Sequence, residues 1–302
     1  MPSIADIYHQ DQTILARTRL LLEHFDLRAR KGLGQHFLIN QGVLDKITRA
    51  AALSRDDLVL EIGPGVGVLT HELLHQAGWV LALEIDEKLV QLLNTALGHH
   101  PNLTVLEQNV LQEEPGTLIE NEKAAFIKAI PDPGRYKVVA NLPYYITQPI
   151  IRHFCEAQNK PTSMTIMVQK EVAKNIVAGP GDMSILAVSV QFYGKPKVID
   201  YVPASNFYPV PKVDSAILQI VLYPEQLFQV SSPASFFAVV RAGFCAARKQ
   251  IVNSLAQGFD IPRSDVLNWL MKAGIEATRR AESLSLEEWA KLERNRPQEV
   301  CP

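Results

Sequence analysis

Short apolar segments alternate with longer amphipathic ones through most of the chain. Helical periodicity fills several of the intervals, as in the stretch that contains Leu89, Leu92, Leu93 and Leu97. Strands that alternate with helices form parallel βαβ units, so the pattern predicts an α/β fold with a seven-stranded, doubly wound parallel sheet. The predicted strands are 58–62, 80–85, 103–107, 136–140, 163–169, 197–202 and 215–223.

The regions at both ends of the chain lack this strand pattern. Residues 13–25 predict an amphipathic helix, broken afterwards by Gly32 and Gly34. Its apolar face comprises Ile14, Thr18, Leu21, Leu22 and Phe25. Residues 224–233 are a polar linker, and 234–302 carry only helix signals, among them the capping box Ser285 to Glu288. We therefore predict a leader at 1–30, an α/β domain at 31–223 with a surface insertion at 112–135, and a small all-helical domain at 234–302.

Composition narrows the class of protein further. A length of 302 residues fits about two domains, and no apolar run approaches the ~20 residues of a membrane helix. The 30 basic and 32 acidic side chains leave a net charge of −2, so a nucleic-acid site must be a local patch. Cys155, Cys245 and Cys301 are widely spaced and form no metal-ligand pattern. We predict a cytoplasmic protein without a metal, a disulfide framework or a membrane span.

A glycine-rich turn follows the first predicted strand of the sheet. Gly63, Gly65 and Gly67 form G-x-G-x-G, whereas a dinucleotide fingerprint would require a further glycine at Val68. Glu84 ends the next strand, where a carboxylate accepts hydrogen bonds from ribose hydroxyls. Together these features predict an adenosine-containing cofactor without a diphosphate. The alternative is a structural glycine turn in an unrelated α/β protein.

A second motif, Asn141-Leu142-Pro143-Tyr144, directly follows the strand at 136–140. An exocyclic adenine amine is a poor nucleophile, because its lone pair is delocalised into the ring. The Asn141 side-chain oxygen and the Leu142 carbonyl can each accept one N–H of that amine, and Tyr144 offers a stacking face. The motif predicts a site that methylates an adenine amine with a sulfonium donor. A purely structural turn is the alternative.

Several segments occur in an order that is more specific than either motif alone. From 31 to 285 the chain resembles the ribosomal RNA adenine N6-dimethyltransferases. The similar segments are KGLGQHFL (31–38), LEIGPGVGVLT (60–70), ALEID (82–86), VVANLPYYIT (138–147), MVQKEVA (167–173), NFYPVPKVDSAIL (206–218) and RAESLSLEEW (280–289). The resemblance implies a Rossmann-like seven-stranded methyltransferase sheet and a small helical domain that contacts RNA.

The resemblance also implies S-adenosyl-L-methionine as cofactor and assigns residues to it. The implied cofactor residues are His36, Leu38, Gly63, Gly65, Glu84, Asn109 and Asn141. His36 stands where many relatives have Asn, and a buried structural histidine is the alternative. Asn109 stands where the family usually has Asp, so its amide oxygen is expected to accept from the cofactor's adenine amine without a charge, with lower affinity than is typical. Phe207 is expected to face Tyr144 and complete a sandwich around the target base, the alternative being a packed core phenylalanine.

The implied substrate is two adjacent adenines in a loop near the 3′ end of small-subunit (16S) rRNA, within an assembling small subunit. The implied phosphate contacts are Arg248, Lys249, Arg279 and Arg280. Residues 234–302 carry ten basic and eight acidic side chains, so a solvated face is the alternative for each of them. We expect a monomer. Two other functions remain open: a large-subunit rRNA dimethylase of the macrolide-resistance type, and a non-catalytic RNA or transcription factor on the same fold.

Overall fold

The computed structural model describes residues 12–30 and 34–297. Lys31, Gly32 and Cys301, which the sequence analysis singled out, lie outside these ranges. The chain divides into two compact units. The first comprises the residues up to Ala173 together with Pro196–Leu222, and the second comprises Lys174–Lys195 together with the residues from Tyr223 onward.

The first unit is built on a sheet whose strand order is β4-β3-β2-β5-β6-β9-β7. The strands, in chain order, are β1 Phe37–Leu38, β2 Leu58–Ile62, β3 Trp79–Glu84, β4 Leu103–Glu107, β5 Tyr136–Asn141, β6 Ser163–Gln169, β7 Gly194–Val202, β8 Phe207–Tyr208 and β9 Ser215–Leu222. β1 and β8 form a separate antiparallel pair. All seven predicted strands are present in the main sheet, and every residue of β2 is buried, as expected for a strand with helices on both faces.

The prediction of a wholly parallel sheet is wrong at one strand. β2 pairs in parallel with both β3 and β5, and β5 with β6, but β9 runs antiparallel to β6. β7 and β9 are neighbours joined through 203–214, a connection that holds a one-turn 3₁₀ segment, Ala204–Asn206, and β8. A parallel pair needs a long crossover, whereas an antiparallel pair needs only a short link. The absence of a helical segment between these two strands was therefore the sequence signal that the sheet is not wholly parallel.

Helices cover the sheet and make up most of the second unit. In chain order they are α1 Ile14–His24, α2 Gln41–Ala51, α3 Val68–Gln76, α4 Glu87–Leu97, α5 Pro115–Phe126, α6 Thr147–Glu156, α7 Lys170–Ile176, α8 Ile185–Tyr193, α9 Pro233–Phe244, α10 Ile251–Phe259, α11 Arg263–Ala273 and α12 Leu286–Arg294. The prediction that 112–135 is a surface insertion is wrong, because α5 lies inside it and buries Leu118, Ile119 and Phe126. Pro115 at its first turn was the available start signal.

The predicted N-terminal helix is present as α1, within the first unit. The Thr13 side chain caps it by accepting from the Ala16 N–H at 3.2 Å. Four of the five residues predicted for its apolar face are buried, namely Ile14, Thr18, Leu21 and Leu22. Leu21 and Leu22 belong to the same core as Val59 of β2, so burial against the sheet stabilises this helix.

The second unit has its own apolar core. Phe192 of α8 packs in it with Phe236, Trp269 and Trp289 from α9, α11 and α12. The predicted boundaries differ from the observed units, because Lys174–Lys195 lies inside the predicted 31–223 domain yet belongs to the second unit. The apolar face of α8 explains this, since Ala187, Val188 and Phe192 are buried in that core. No helix in the described ranges is long and apolar enough to cross a membrane.

Candidate active site

A cavity of about 250 Å³ opens in the first unit at the carboxyl ends of β2, β3, β4 and β5. The strand order reverses on either side of β2, and open α/β sheets bind ligands at such a switch point. The cavity is lined by residues 34–38, 61–66, 68–69, 83–85, 89, 108–111 and 141–146. Every sequence-predicted cofactor residue is in this set, so the fold brings all of them together.

The glycine turn between β2 and α3 forms one wall. Gly63 and Gly65 both adopt left-handed backbone, with φ of 65° and 60°. A Cβ on Gly65 would stand 2.9 Å from Cε1 of Phe37 in β1. Any side chain at Gly65 would therefore strain the turn and displace Phe37, which leaves the backbone itself to face the cavity.

Glu84, at the end of β3, lies beside this turn at the cavity wall and is only 5% exposed. Its carboxylate accepts hydrogen bonds from the N–H groups of Ile85 at 2.8 Å, Asp86 at 3.1 Å and Gly65 at 3.2 Å. Burial raises the pKa of Glu84, and these three donors oppose that rise. The carboxylate is thus tied to the glycine turn and retains lone pairs that can accept further hydroxyl donors.

A second carboxyl group lines the same cavity and was not predicted to function. Glu61 of β2 is 1% exposed, and burial raises its pKa to about 8, with repulsion from the Glu84 carboxylate adding to the effect. The nearby Thr70 side chain opposes this rise. A charged residue inside the otherwise apolar strand LVLEI was the sequence signal for an unusual environment.

Asn141 ends β5 on the opposite wall. Its Nδ2 donates to the backbone carbonyl of His36 at 2.9 Å. A carbonyl oxygen can only accept, so this bond sets the orientation of the amide and leaves Oδ1 as an acceptor. Leu142 is buried, and Pro143, with φ of −58°, leads into the one-turn 3₁₀ segment Tyr144–Ile146.

Tyr144 is held by contacts that the sequence did not reveal. Its hydroxyl forms a 2.7 Å hydrogen bond with Oγ of Ser215, the fully buried first residue of β9. The His36 ring stacks on the Tyr144 ring, with centroids 5.9 Å apart and planes 22° apart. His36 is anchored in turn, because its Nδ1 donates to the Pro209 carbonyl at 2.7 Å. The tyrosine ring therefore has a defined orientation at the mouth of the cavity.

Phe207 lies in the core and does not line the cavity that Tyr144 lines. Its side chain is 1% exposed, lies in the core of the first unit, and is absent from the cavity lining. The reason is strand pairing: Phe207 begins β8 and stands opposite Leu38 of β1, an arrangement that turns its ring into the core. The core alternative left open by the sequence is the one observed. Another aromatic residue, Tyr145, does line the cavity and is 55% exposed.

The predicted RNA-contacting cations of the second unit fall into two groups. Arg279 forms a bidentate ion pair with Glu288, its Nη2 lying 3.0 Å from Oε2, which raises the pKa of the guanidinium. Arg280 lies 3.6 Å from a carboxylate oxygen of Glu282. Arg248 and Lys249 follow α9 and are both exposed. Arg279 is therefore held by an ion pair within the second unit, and the exposed Arg248 and Lys249 remain the stronger candidates for phosphate contacts.

The residues that face the cavity carry oxygen and nitrogen groups suited to an adenosine ligand. Within the described ranges no group of three or more His, Cys, Asp or Glu side chains is arranged to hold a metal ion. The glycine wall presents backbone to the cavity, the Glu84 carboxylate has lone pairs for hydroxyl donors, and Asn141 offers an acceptor at the far wall. These features fit a nucleoside cofactor beside a second, amine-bearing base.

Comparison with known proteins agrees with this geometry. A family model described as ribosomal RNA adenine dimethylase matches residues 26–295. A protein of Dehalococcoides mccartyi named ribosomal RNA small subunit methyltransferase A is 48% identical over 93% of this chain and 92% of its own length. A protein of the same name from Alkaliphilus oremlandii is 38% identical over 92% of this chain and 96% of its own.

Two solved structures resemble the fold over most of its length. The 23S rRNA methyltransferase ErmE has a TM-score of 0.67 and 29% identity, covering 86% of this chain and 98% of its own. A dimethyladenosine transferase from Plasmodium falciparum has a TM-score of 0.68 and 26% identity, covering 85% and 96%. The family match spans both the cavity and the second unit. This chain therefore belongs to the ribosomal RNA adenine dimethylase family.

Proposed function

We propose that this protein transfers methyl groups from S-adenosyl-L-methionine to N6 of two adjacent adenines near the 3′ end of small-subunit rRNA. Family membership supports methyl transfer to rRNA adenine, and relatives named for the small subunit match at 38–48% identity over more than nine-tenths of the chain. The observation that carries the proposal is the Asn141 amide, whose nitrogen is engaged by the His36 carbonyl.

The cofactor fits the residues that are present. The glycine turn presents backbone to the cavity, since a Cβ at Gly65 would strike Phe37, and the Glu84 carboxylate beside it suits two ribose hydroxyls. When bound, S-adenosyl-L-methionine supplies a methyl group that is already activated by its sulfonium. Leu38 and Val66 are buried beside the cavity and contribute apolar surface that excludes water.

Asn141 acts on the nucleophile. Its Oδ1 accepts one N–H of the target amine, which holds the nitrogen and favours localisation of its lone pair as it pyramidalises. The donor, held by the glycine turn and the Glu84 carboxylate, would supply its methyl group to this nitrogen and leave as a neutral thioether, while the proton released from the amine would pass to solvent water. Positioning and desolvation supply most of the acceleration, because the donor is already activated and no strong base is needed.

Tyr144 binds the target base by stacking. Its ring is fixed by Ser215 at the hydroxyl and by His36 on one face, so an extruded adenine meets a surface that is already oriented. Such stacking contributes about 1–3 kcal/mol per base. The buried position of Phe207 does not support its assignment as a second stacking surface for the base.

The deciding experiment uses intact ribosomal subunits. Small subunits purified from a strain that lacks its own dimethylase are incubated with the full-length protein and labelled S-adenosyl-L-methionine. Primer extension and mass spectrometry of the rRNA are expected to show dimethyladenosine at two adjacent positions near the 3′ end. Large subunits and the Glu84→Ala variant are the controls. Modification of large-subunit rRNA alone would assign the macrolide-resistance activity instead, and no transfer to either subunit would indicate a non-catalytic protein.

A further inference from the structure

Tyr145 is an exposed aromatic side chain at the cavity of the first unit. It follows Tyr144 in the 3₁₀ segment Tyr144–Ile146, lines the cavity and is 55% exposed. The Phe37 ring lines the same cavity but is buried. An aromatic ring left in water forgoes the favourable free energy of its burial, and tyrosine is enriched where proteins meet partners. The exposure of Tyr145 therefore indicates a contact with a ligand that extends beyond the cavity.

The protein supports one side of the Tyr145 ring. A Cβ built on Gly34 would lie 3.4 Å from Cδ1 and 3.6 Å from Cε1 of Tyr145, so the ring packs beside the Gly34 backbone. Gly34 has left-handed backbone, with φ of 59°, which favours glycine at this contact. The segment itself is closed by the Ile146 N–H, which donates to the Pro143 carbonyl at 3.2 Å. The ring is thus supported from the protein side and presents its remaining surface to solvent.

Tyr144 and Tyr145 do not enclose one base between them. Three residues make one turn of a 3₁₀ helix, so neighbouring side chains project about 120° apart. The Tyr144 hydroxyl bonds to Oγ of Ser215, whereas the Tyr145 ring lies beside Gly34. The two rings are therefore presented in different directions, and one substrate base cannot stack on both. The group that covers Tyr145 is then a different part of the substrate.

We propose that Tyr145 stacks on the base next to the adenine that Tyr144 holds. The inference rests on the proposed function, in which the substrate has two adjacent adenines. Extruding one adenine into the cavity separates it from its neighbour in the chain and leaves a face of that neighbour uncovered. A tyrosine ring covers such a face by stacking, which needs no particular pattern of donors and acceptors on the base.

This contact positions the substrate and takes no part in the methyl transfer. Stacking is equally present before and during the reaction of the target nitrogen, so its loss raises KM for the subunit and leaves kcat near the wild-type value. Tyr145 lies on one side of the target base. The contact is therefore made with the neighbour on that side of the target and not with the neighbour on the other side.

The first experiment measures steady-state methylation of small subunits by the full-length protein. Tyr145→Ala is expected to raise KM for subunits by about 5- to 150-fold, the range that corresponds to one lost stacking contact, with kcat within about twofold of wild type. Tyr145→Phe keeps the ring, and both constants are expected to stay within about twofold of wild type. Tyr201→Ala is the matched control, because Tyr201 on β7 is 45% exposed and does not line the cavity. Affinity for S-adenosylhomocysteine and melting temperature are measured in every variant and are expected to be unchanged.

The second experiment identifies the base. It uses small subunits whose rRNA carries uracil in place of one or the other of the two adenines, which leaves one target in each. Uracil offers a smaller stacking surface than adenine. The KM increase caused by Tyr145→Ala is therefore expected to shrink by about threefold or more in the subunit whose replaced base lies on the Tyr145 side, and to persist in the other.

Several outcomes would overturn the inference while leaving the proposed function intact. These are an unchanged KM in Tyr145→Ala, a fall in kcat alone, an equal KM increase in Tyr201→Ala, and the same KM increase with native and both uracil-containing subunits. A loss of S-adenosylhomocysteine affinity that matches the rise in KM would assign Tyr145 to the cofactor and overturn the inference as well. Absence of methylation by the wild type would instead reject the proposed function, and the inference with it.

Discussion

At the scale of single residues, the site is defined by which polar atoms are already engaged. Asn141 Nδ2 and the Tyr144 hydroxyl have partners inside the protein. The atoms left over, such as Asn141 Oδ1, are those that can meet a substrate. Hydrogen bonds that orient a side chain in advance reduce the reorganisation needed during reaction, and this preorganisation is the main source of electrostatic catalysis.

Asn141→Ala removes the acceptor for the target amine. We expect single-turnover methylation, with both substrates saturating, to fall by about 100-fold, the loss typical of one preorganised polar contact. Affinity for the rRNA substrate is expected to change little, because the contact strengthens mainly as the nitrogen pyramidalises. The exposed Asn94→Ala on α4 is the control, and cofactor affinity is measured in both variants. A near wild-type rate in Asn141→Ala would remove Asn141 from catalysis.

The raised pKa of Glu61 predicts that the free energy of unfolding depends on pH. Its pKa is about 8 in the folded protein, against an ordinary value of 4.5 for glutamate in the unfolded chain. Between these values the folded state holds a proton that the unfolded state has released, so stability falls as pH rises from about 4.5 to 8 and is flat above. Glu61→Gln has no such proton to lose. Relative to this variant, the wild type is expected to lose free energy of unfolding across that interval.

Denaturant unfolding of both proteins at pH 5 and pH 8.5 measures this difference. The exposed Glu107→Gln is the control and is expected to follow the wild type. An equal change in the free energy of unfolding between the two pH values for wild type and Glu61→Gln would contradict the buried, protonated state of Glu61.

At the scale of elements, the site is an assembly of strand ends. The turns after β2, β3, β4 and β5 each supply part of the cavity wall. Because these strands are parallel, their carboxyl ends meet at one edge of the sheet, and residues far apart in sequence converge there. The short β1–β8 pair adds a further wall, because it positions His36 and the Pro209 carbonyl beside Tyr144.

Gly65→Ala tests the turn between β2 and α3. A left-handed backbone costs a non-glycine residue about 1–2 kcal/mol. The new Cβ would also stand 2.9 Å from Phe37 and push β1 away from the cavity. We expect a lower melting temperature and weaker binding of S-adenosylhomocysteine. Gly179→Ala is the matched control, because a Cβ there meets nothing within 4 Å. Equal cofactor binding by Gly65→Ala and Gly179→Ala would show that the turn does not need a glycine at this position.

At the scale of the whole molecule, a net charge of −2 rules out a general attraction to nucleic acid. Affinity for rRNA must then come from local cations and from the shape of a structured substrate. Arg279 is paired with Glu288 and Arg280 lies near Glu282, which leaves Arg248 and Lys249 as the exposed cations without a recorded ion pair among the four predicted in the second unit.

The double variant Arg248→Ala/Lys249→Ala is expected to weaken binding to small subunits. The slope of log affinity against log salt should become shallower by up to about two units, one for each lost phosphate contact, with little change in melting temperature. Arg279→Ala is the matched control and is expected to act chiefly on melting temperature, because it removes the ion-pair partner of Glu288. An unchanged salt slope in the double variant would exclude these two residues from the RNA surface.

Local patterns in the sequence were sufficient for the seven strands of the main sheet, for helices such as α1 and α4, and for the two main motifs. Apolar runs identify β2, β3, β5 and β6 because a strand buried on both faces must be apolar. The spacing from Gly63 to Glu84 places both at one end of the sheet, since a βαβ unit returns the chain to the same edge. Features of this kind depend on residues that are close in sequence, within one element or one βαβ crossover, so the sequence pattern shows them directly.

Only the tertiary structure decided the properties that depend on distant neighbours. The core position of Phe207, the stacking of His36 on Tyr144 and the raised pKa of Glu61 all arise from packing between elements far apart in the chain. The assignment of α8 to the second unit has the same origin, because an apolar helix face does not itself specify which core it joins. Hydrogen-bond partners and burial are set by what folds against a residue, and a single sequence does not record that.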